Sequence, residues 1–126
     1  MSRYAVANLK ECDDVVDGPE REIRFARKQL ESAELGVTYE RFDPNVVSSD
    51  GHAHEVQEEA YVVVSGSGRV KLDDEVVELR QWDVVRVAPE VVRAFDAGPD
   101  GLELIAIGGA KPEGGDGHIV RDRWPA

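Results

Sequence analysis

The chain has 126 residues, enough for one domain that buries about two-thirds of the surface its unfolded form exposes. Its 26 acidic against 15 basic residues leave a formal net charge of −11, which argues against binding nucleic acid by phosphate neutralisation. The single cysteine, Cys12, excludes an intramolecular disulfide and fits a reducing compartment. No apolar run nears the ~20 residues of a membrane span and no signal-peptide core opens the chain, so a cytoplasmic protein with no membrane partner is expected.

In chain order, Tyr4-Ala5-Val6-Ala7 reads as a short N-terminal strand or arm, followed by an acidic loop ending in Asp17-Gly18-Pro19. Residues 22–28 alternate, with Ile23 and Phe25 on one face and Glu22 and Arg24 on the other, as in a half-buried strand. Residues 31–35 suit one helical turn with Gly36 as its C-cap. Residues 37–42 form a second strand, closed by Asp43-Pro44-Asn45.

The Val-rich centre of the chain predicts strands over 59–64, 69–73, 76–79, 83–87 and 102–107. Glu59, Tyr61 and Val63 share one face of the first, and the apolar Ala60, Val62 and Val64 on the other imply burial on both sides. Ser65-Gly66-Ser67-Gly68 and Gly98-Pro99-Asp100-Gly101 read as turns, and Asp73-Asp74 as a solvated hairpin tip. Residues 110–117 are Gly- and Pro-rich and read as a surface loop before Trp124 anchors the tail; His118, in that tail, reads as exposed. Short strands at regular intervals argue for an all-β sandwich or barrel.

His52-Ala53-His54 carries the most chemistry. Two histidines at i and i+2 lie on one face of a strand, and a carboxylate after a short connection completes a set of three ligands. Two imidazoles and one carboxylate suit a divalent transition metal and leave positions open for a substrate.

The run from Gly51 to Gly66 resembles the first conserved motif of the cupins: HxH, three or four residues, Glu, six residues, Gly. Here Glu59 and Gly66 fill the Glu and Gly positions, while Val46 stands where the family has a leading Gly. Fifteen residues separate Gly66 from Trp82, where a second motif would begin. In that motif Trp82 stands for the first Gly, Ala88 for Pro, Glu90 for the second Gly, Arg93 for the third metal histidine and Ala97 for Asn, with Asp83 and Pro89 retained. The resemblance implies an all-β fold, the cupin double-stranded β-helix or jelly-roll barrel. Its core would span residues 36–108, with an arm at 1–35 and a tail at 109–126 in a single domain.

On that fold His52, His54 and Glu59 would hold a metal (Fe, Mn, Ni or Zn), with Arg93, Tyr61 and Phe95 around a small organic ligand. Arginine keeps its charge and does not ligate a cation. Arg93 would therefore either face an anionic substrate group or pair with Glu59 and leave a metal-free binding or regulatory module. A third reading is a metal-dependent dioxygenase or isomerase. The resemblance identifies no catalytic residue and does not decide whether the chain is an enzyme. The Val-rich faces and Trp82 imply a homodimer.

Overall fold

Residues 3–16, 18–48 and 50–124 are described in a computed structural model of the protein. Their β-branched runs, punctuated by Gly, Pro and Asp turns, give eight strands: β1 (Arg21–Phe25), β2 (Gly36–Phe42), β3 (Gly51–Ala53), β4 (Glu59–Leu72), β5 (Glu75–Arg80), β6 (Val84–Val87), β7 (Arg93–Gly108) and β8 (His118–Val120). One 3-10 turn, Leu9–Glu11, precedes them. Among the described residues no helix is long and apolar enough to cross a membrane.

The long strands β4 and β7 organise the fold. They pair antiparallel along both of their halves, Glu59 to Gly66 against Gly108 to Leu102 and Gly68 to Leu72 against Ala97 to Arg93. One end is widened by β6 on β4 and by β2 and β1 on β7; the other by β5 on β4 and by β3 and β8 on β7. Register shifts at Val63/Ser65 and Gly66/Gly68 bend both strands, so one continuous sheet doubles over into the two faces of a β-barrel. Phe42, Tyr61, Val63, Val70, Phe95 and Leu104 fill the space between.

The bend explains why the sequence needs glycine there. Gly66 has φ +77°, and a methyl group on it would lie 2.0 Å from the Gly101 carbonyl oxygen. Residues 65–68 and 98–101, expected to be turns that separate strands, are therefore corners within continuous strands. The expected strands 59–64 and 69–73 merge into β4, and 102–107 is the second half of β7.

Two N-terminal expectations are corrected. Residues 31–35 form no helical turn; the chain instead turns just after β1, where Leu30 N–H donates to Ala26 O at 2.9 Å, and Gly36 opens β2. Tyr4 to Ala7 is an irregular arm. The alternation in β1 holds, but its burial is reversed: Glu22 is 6% exposed and Phe25 52%. The inner face of β1 opens onto a cavity, whereas the outer face lies under the N-terminal segment. There Glu22 accepts from Lys10 Nζ at 2.8 Å, from Arg41 Nε at 3.0 Å and from Arg24. These cations, Lys10 and Arg24 first, hold its carboxyl down at about 2.

Beyond the barrel, the tail returns as β8 along β3, pairing Gly51 with Val120 and Ala53 with His118, whose side chain stays exposed. Trp124 is buried, with the Arg69 guanidinium 4.8 Å from its ring centroid. The hairpin tip Asp73-Asp74 is exposed as expected, and Asp73 Oδ1 also accepts the Val92 N–H at 3.0 Å.

Candidate metal centre and ligand cavity

β3 reaches the barrel mouth because Gly51 carries no side chain: a methyl group there would lie 2.6 Å from the Arg93 carbonyl oxygen. His52 then pairs with Arg93 across β3 and β7, and His54 follows just past the strand end, its N–H donating to Pro89 O at 2.7 Å. Glu59 opens β4 on the inner face, with Tyr61 one pleat deeper.

His52, His54 and Glu59 each offer a ligand atom, and these atoms lie within 4.8 Å of one another. Glu59 Oε1 is 3.4 Å from His52 Nε2 and 3.1 Å from His54 Nε2. It also accepts a 2.6 Å hydrogen bond from the Tyr61 hydroxyl. Burial works against the charge on Glu59, but His52 and Tyr61, with the positive field of both histidines, overcome it and hold the carboxyl at about 2. Burial, then the neighbouring carboxylates of Glu59 and Glu40, push the Tyr61 phenol well above its ordinary range, so it remains a donor.

His54 Nε2 is buried and makes no hydrogen bond; its neighbour Glu59 is close but not aligned to accept. A polar atom buried without a partner is costly in a folded protein, and here it points at the other two ligand atoms. The donor set of two nitrogens and one carboxylate oxygen, with this orphaned nitrogen among them, fits a divalent transition metal.

Asp116 holds the cluster from behind. Its Oδ1 lies 2.9 Å from His54 Nδ1, which leaves Nε2 directed at the cluster. Its Oδ2 accepts the backbone N–H groups of Glu55, Val56 and Gln57 at 3.1, 2.6 and 2.9 Å. Burial would raise this carboxyl, but the backbone donors at Val56 and Gln57 and then His54 hold it well below the usual carboxylate range. The only trace of this role in the sequence is an acidic residue between glycines in Gly114-Gly115-Asp116-Gly117.

Arg93 is fully buried. Its guanidinium donates to Ala88 O at 3.1 Å, and more loosely to His52 O at 3.4 Å and Pro89 O at 3.5 Å. No Arg93–Glu59 ion pair within 4.0 Å occurs among the described residues. Phe95 packs behind Tyr61, ring centroids 4.9 Å apart.

In front of the cluster lies a cavity of about 750 Å³. The ligand set and Tyr61 form one wall, and Ile23, Phe25 and Val37 supply an apolar one. Arg21 and Glu40, which sequence reasoning did not single out, also line it.

A family model described as a cupin domain matches residues 38–108, more than half of the chain. No curated protein matches significantly. Among solved structures, a cupin protein from Bacteroides fragilis shares 22% identity, with 87% of this chain and 86% of that chain covered and a TM-score of 0.72. A Streptomyces PAC13 variant with uridine shares 17% identity over 97% of this chain and 93% of that one, TM-score 0.76. A variant of oxalate decarboxylase from B. subtilis shares 17% identity over 92% of this chain but only 33% of that one, TM-score 0.73. At these identities the likeness is one of fold.

Proposed function

The chain belongs to the cupin family, and on that premise we propose that it binds one divalent transition metal through His52, His54 and Glu59 and a small organic ligand in the cavity before it. The observation that carries this reading is the buried, unbonded Nε2 of His54, directed at Glu59 and locked in that orientation by Asp116. A bound metal would supply a Lewis-acid centre with positions left open to the ligand.

The remaining roles belong to the chain itself. Tyr61 steadies Glu59 and presents a phenol to the ligand; Phe95 backs the Tyr61 ring. Arg93 acts on the ligand indirectly, by fixing the carbonyls of Ala88, Pro89 and His52 around the mouth. The alternative of a metal-free module drew its geometric support from an Arg93–Glu59 pair, and here Glu59 bonds to Tyr61 and His52 instead. Neighbours of the same fold include one named for oxalate and one solved with uridine, which supports a small organic molecule as ligand.

The proposed assembly is a homodimer through the outer face of β6, β4 and β7. Val84, opposite Val62, and Ile107, opposite Ala60, are exposed there, and Trp82 is exposed in the turn that enters β6.

Calorimetric titration of metal-stripped protein with Mn²⁺, Fe²⁺, Ni²⁺ and Zn²⁺ tests the metal site. His52→Ala is expected to remove most of the affinity for whichever ion binds. Equal affinity in that variant would contradict the assignment.

A further inference from the structure

Arg21 and Glu40 are diagonal neighbours on the inner face of the β1–β2 pair, because Arg21 sits opposite Phe42 and Ile23 opposite Glu40. Both line the same cavity as the candidate metal ligands. Neither side chain has a hydrogen bond or an ion pair among the described residues, and Arg21 Nε is buried without a partner. The Arg21 guanidinium is set 4.7 Å from the centroid of the buried Phe42 ring, which fixes its place without using its donors.

The other two arginines of the cavity are differently employed. Arg27 donates to the Glu34 carbonyl at 3.1 Å, and Arg121 pairs with Asp50 at 3.3 Å. Counted among described residues, Arg21, Arg27, Lys111 and Arg121 are four of the chain's 15 basic residues, whereas Glu40, Asp50 and Glu59 are three of its 26 acidic ones. An otherwise strongly acidic protein thus gathers positive charge at this cavity, and Arg21 is a guanidinium within it whose donors are free.

We propose that Arg21 and Glu40 form a second polar centre, which receives the carboxylate of a small ligand whose other end reaches the His52–His54–Glu59 cluster. This rests on the reading of the cavity as a ligand site and assigns the ligand's chemical class. The guanidinium offers the fork geometry that a carboxylate takes in two parallel bonds. The apolar side chains of Ile23, Phe25 and Val37 cover the carbon skeleton between the two ends.

A carboxylate bound at Arg21 would lie beside Glu40, whose setting already works against its own charge. Burial raises its carboxyl above the ordinary range, opposed by the charges of His52 on β3 and Arg21 on β1 and reinforced by Glu59 on β4. Tyr61, also on β4, is a neutral phenol. A carboxyl so raised takes up a proton more readily when a second carboxylate binds beside it, and in that form Glu40 donates a hydrogen bond to the carboxylate that Arg21 neutralises.

The test pairs three carboxylates with their neutral amides: acetate with acetamide, benzoate with benzamide, pyruvate with pyruvamide. Each is titrated calorimetrically into protein with and without added Zn²⁺ or Mn²⁺. At least one carboxylate is expected to bind below about 20 mM, at least about tenfold tighter than its amide. Arg21→Gln should remove that preference, Arg21→Lys should restore part of it, and Arg86→Gln, on the outer face, should leave it unchanged. Glu40→Gln supplies a donor with no charge in either state, so carboxylate binding should hold or tighten.

Equal binding of acids and amides, no binding across the panel, or an Arg21→Gln variant that melts normally and keeps the preference would each overturn the proposal. Weakening of at least about tenfold by Glu40→Gln would overturn the role of Glu40. The metal titrations separate the two readings. Carboxylate selectivity that depends on Arg21 without any metal affinity defeats the metal site alone, and metal affinity without selectivity defeats this inference alone.

Discussion

Asp116 Oδ1 lies 2.9 Å from Nδ1 of His54, joining the C-terminal tail to the mouth of the barrel across 62 positions of sequence. The tail is thus a working part of the cluster, since the same carboxylate also gathers the three backbone N–H groups that lead from His54 into β4.

Asp116→Ala is expected to weaken metal affinity by about 10- to 100-fold, because His54 loses the partner that fixes its tautomer and orientation. The barrel should still fold. Titration of the variant beside wild type, with circular dichroism as the control for folding, measures this.

Glu22 contributes to acid stability. Its folded carboxyl titrates at about 2 rather than 4.5, so its stabilisation is present above pH 4.5 and is lost as pH falls toward about 2. Glu22→Gln should lower stability by on the order of 2 kcal/mol at neutral pH and much less at the acid end of that window. Urea unfolding at several pH values reads the difference; an equal loss at all of them would rule out the ionised form as its source.

Trp82 has φ +74° at the third position of the turn closed by Asp83 N–H on Arg80 O, a conformation that favours glycine, and its side chain is 68% exposed. Trp82→Gly should stabilise the isolated chain by about 1 kcal/mol and weaken the dimer. Sedimentation and thermal melts across a range of protein concentration separate the two effects. A wild-type monomer at tens of micromolar would end the dimer proposal.

Arg93→Ala leaves a cavity and strips the carbonyls of Ala88, Pro89 and His52 of their donors. The expected cost is roughly 2–4 kcal/mol in chemical unfolding, with metal affinity changed by less than about threefold. Loss of metal binding in a variant that still folds would mean that Arg93 holds the ligand set more directly than its bonds imply.

Local patterns made the barrel legible: alternating valines, the hairpin at Asp73-Asp74, and the HxH, Glu and Gly spacing. Gly66 was identifiable by position, and its φ of +77° supplies the reason. What escaped was long-range. Residues 65–68 read as a turn because local sequence cannot distinguish a glycine that ends a strand from one that bends it between two sheet faces. Glu22 read as solvated because its burial depends on Lys10 and Arg41, from other elements. Asp116, Arg21 and Glu40 acquire meaning only once distant strands bring them to one cavity, and no spacing rule links residues so far apart in the chain.

The most direct test of the metal site is elemental analysis of protein purified without a metal-binding tag, read beside Glu59→Gln and His54→Ala. The account expects about one transition-metal ion per wild-type chain and a large loss in both variants. Absence of any transition metal from wild-type protein, together with no uptake on titration, would contradict it.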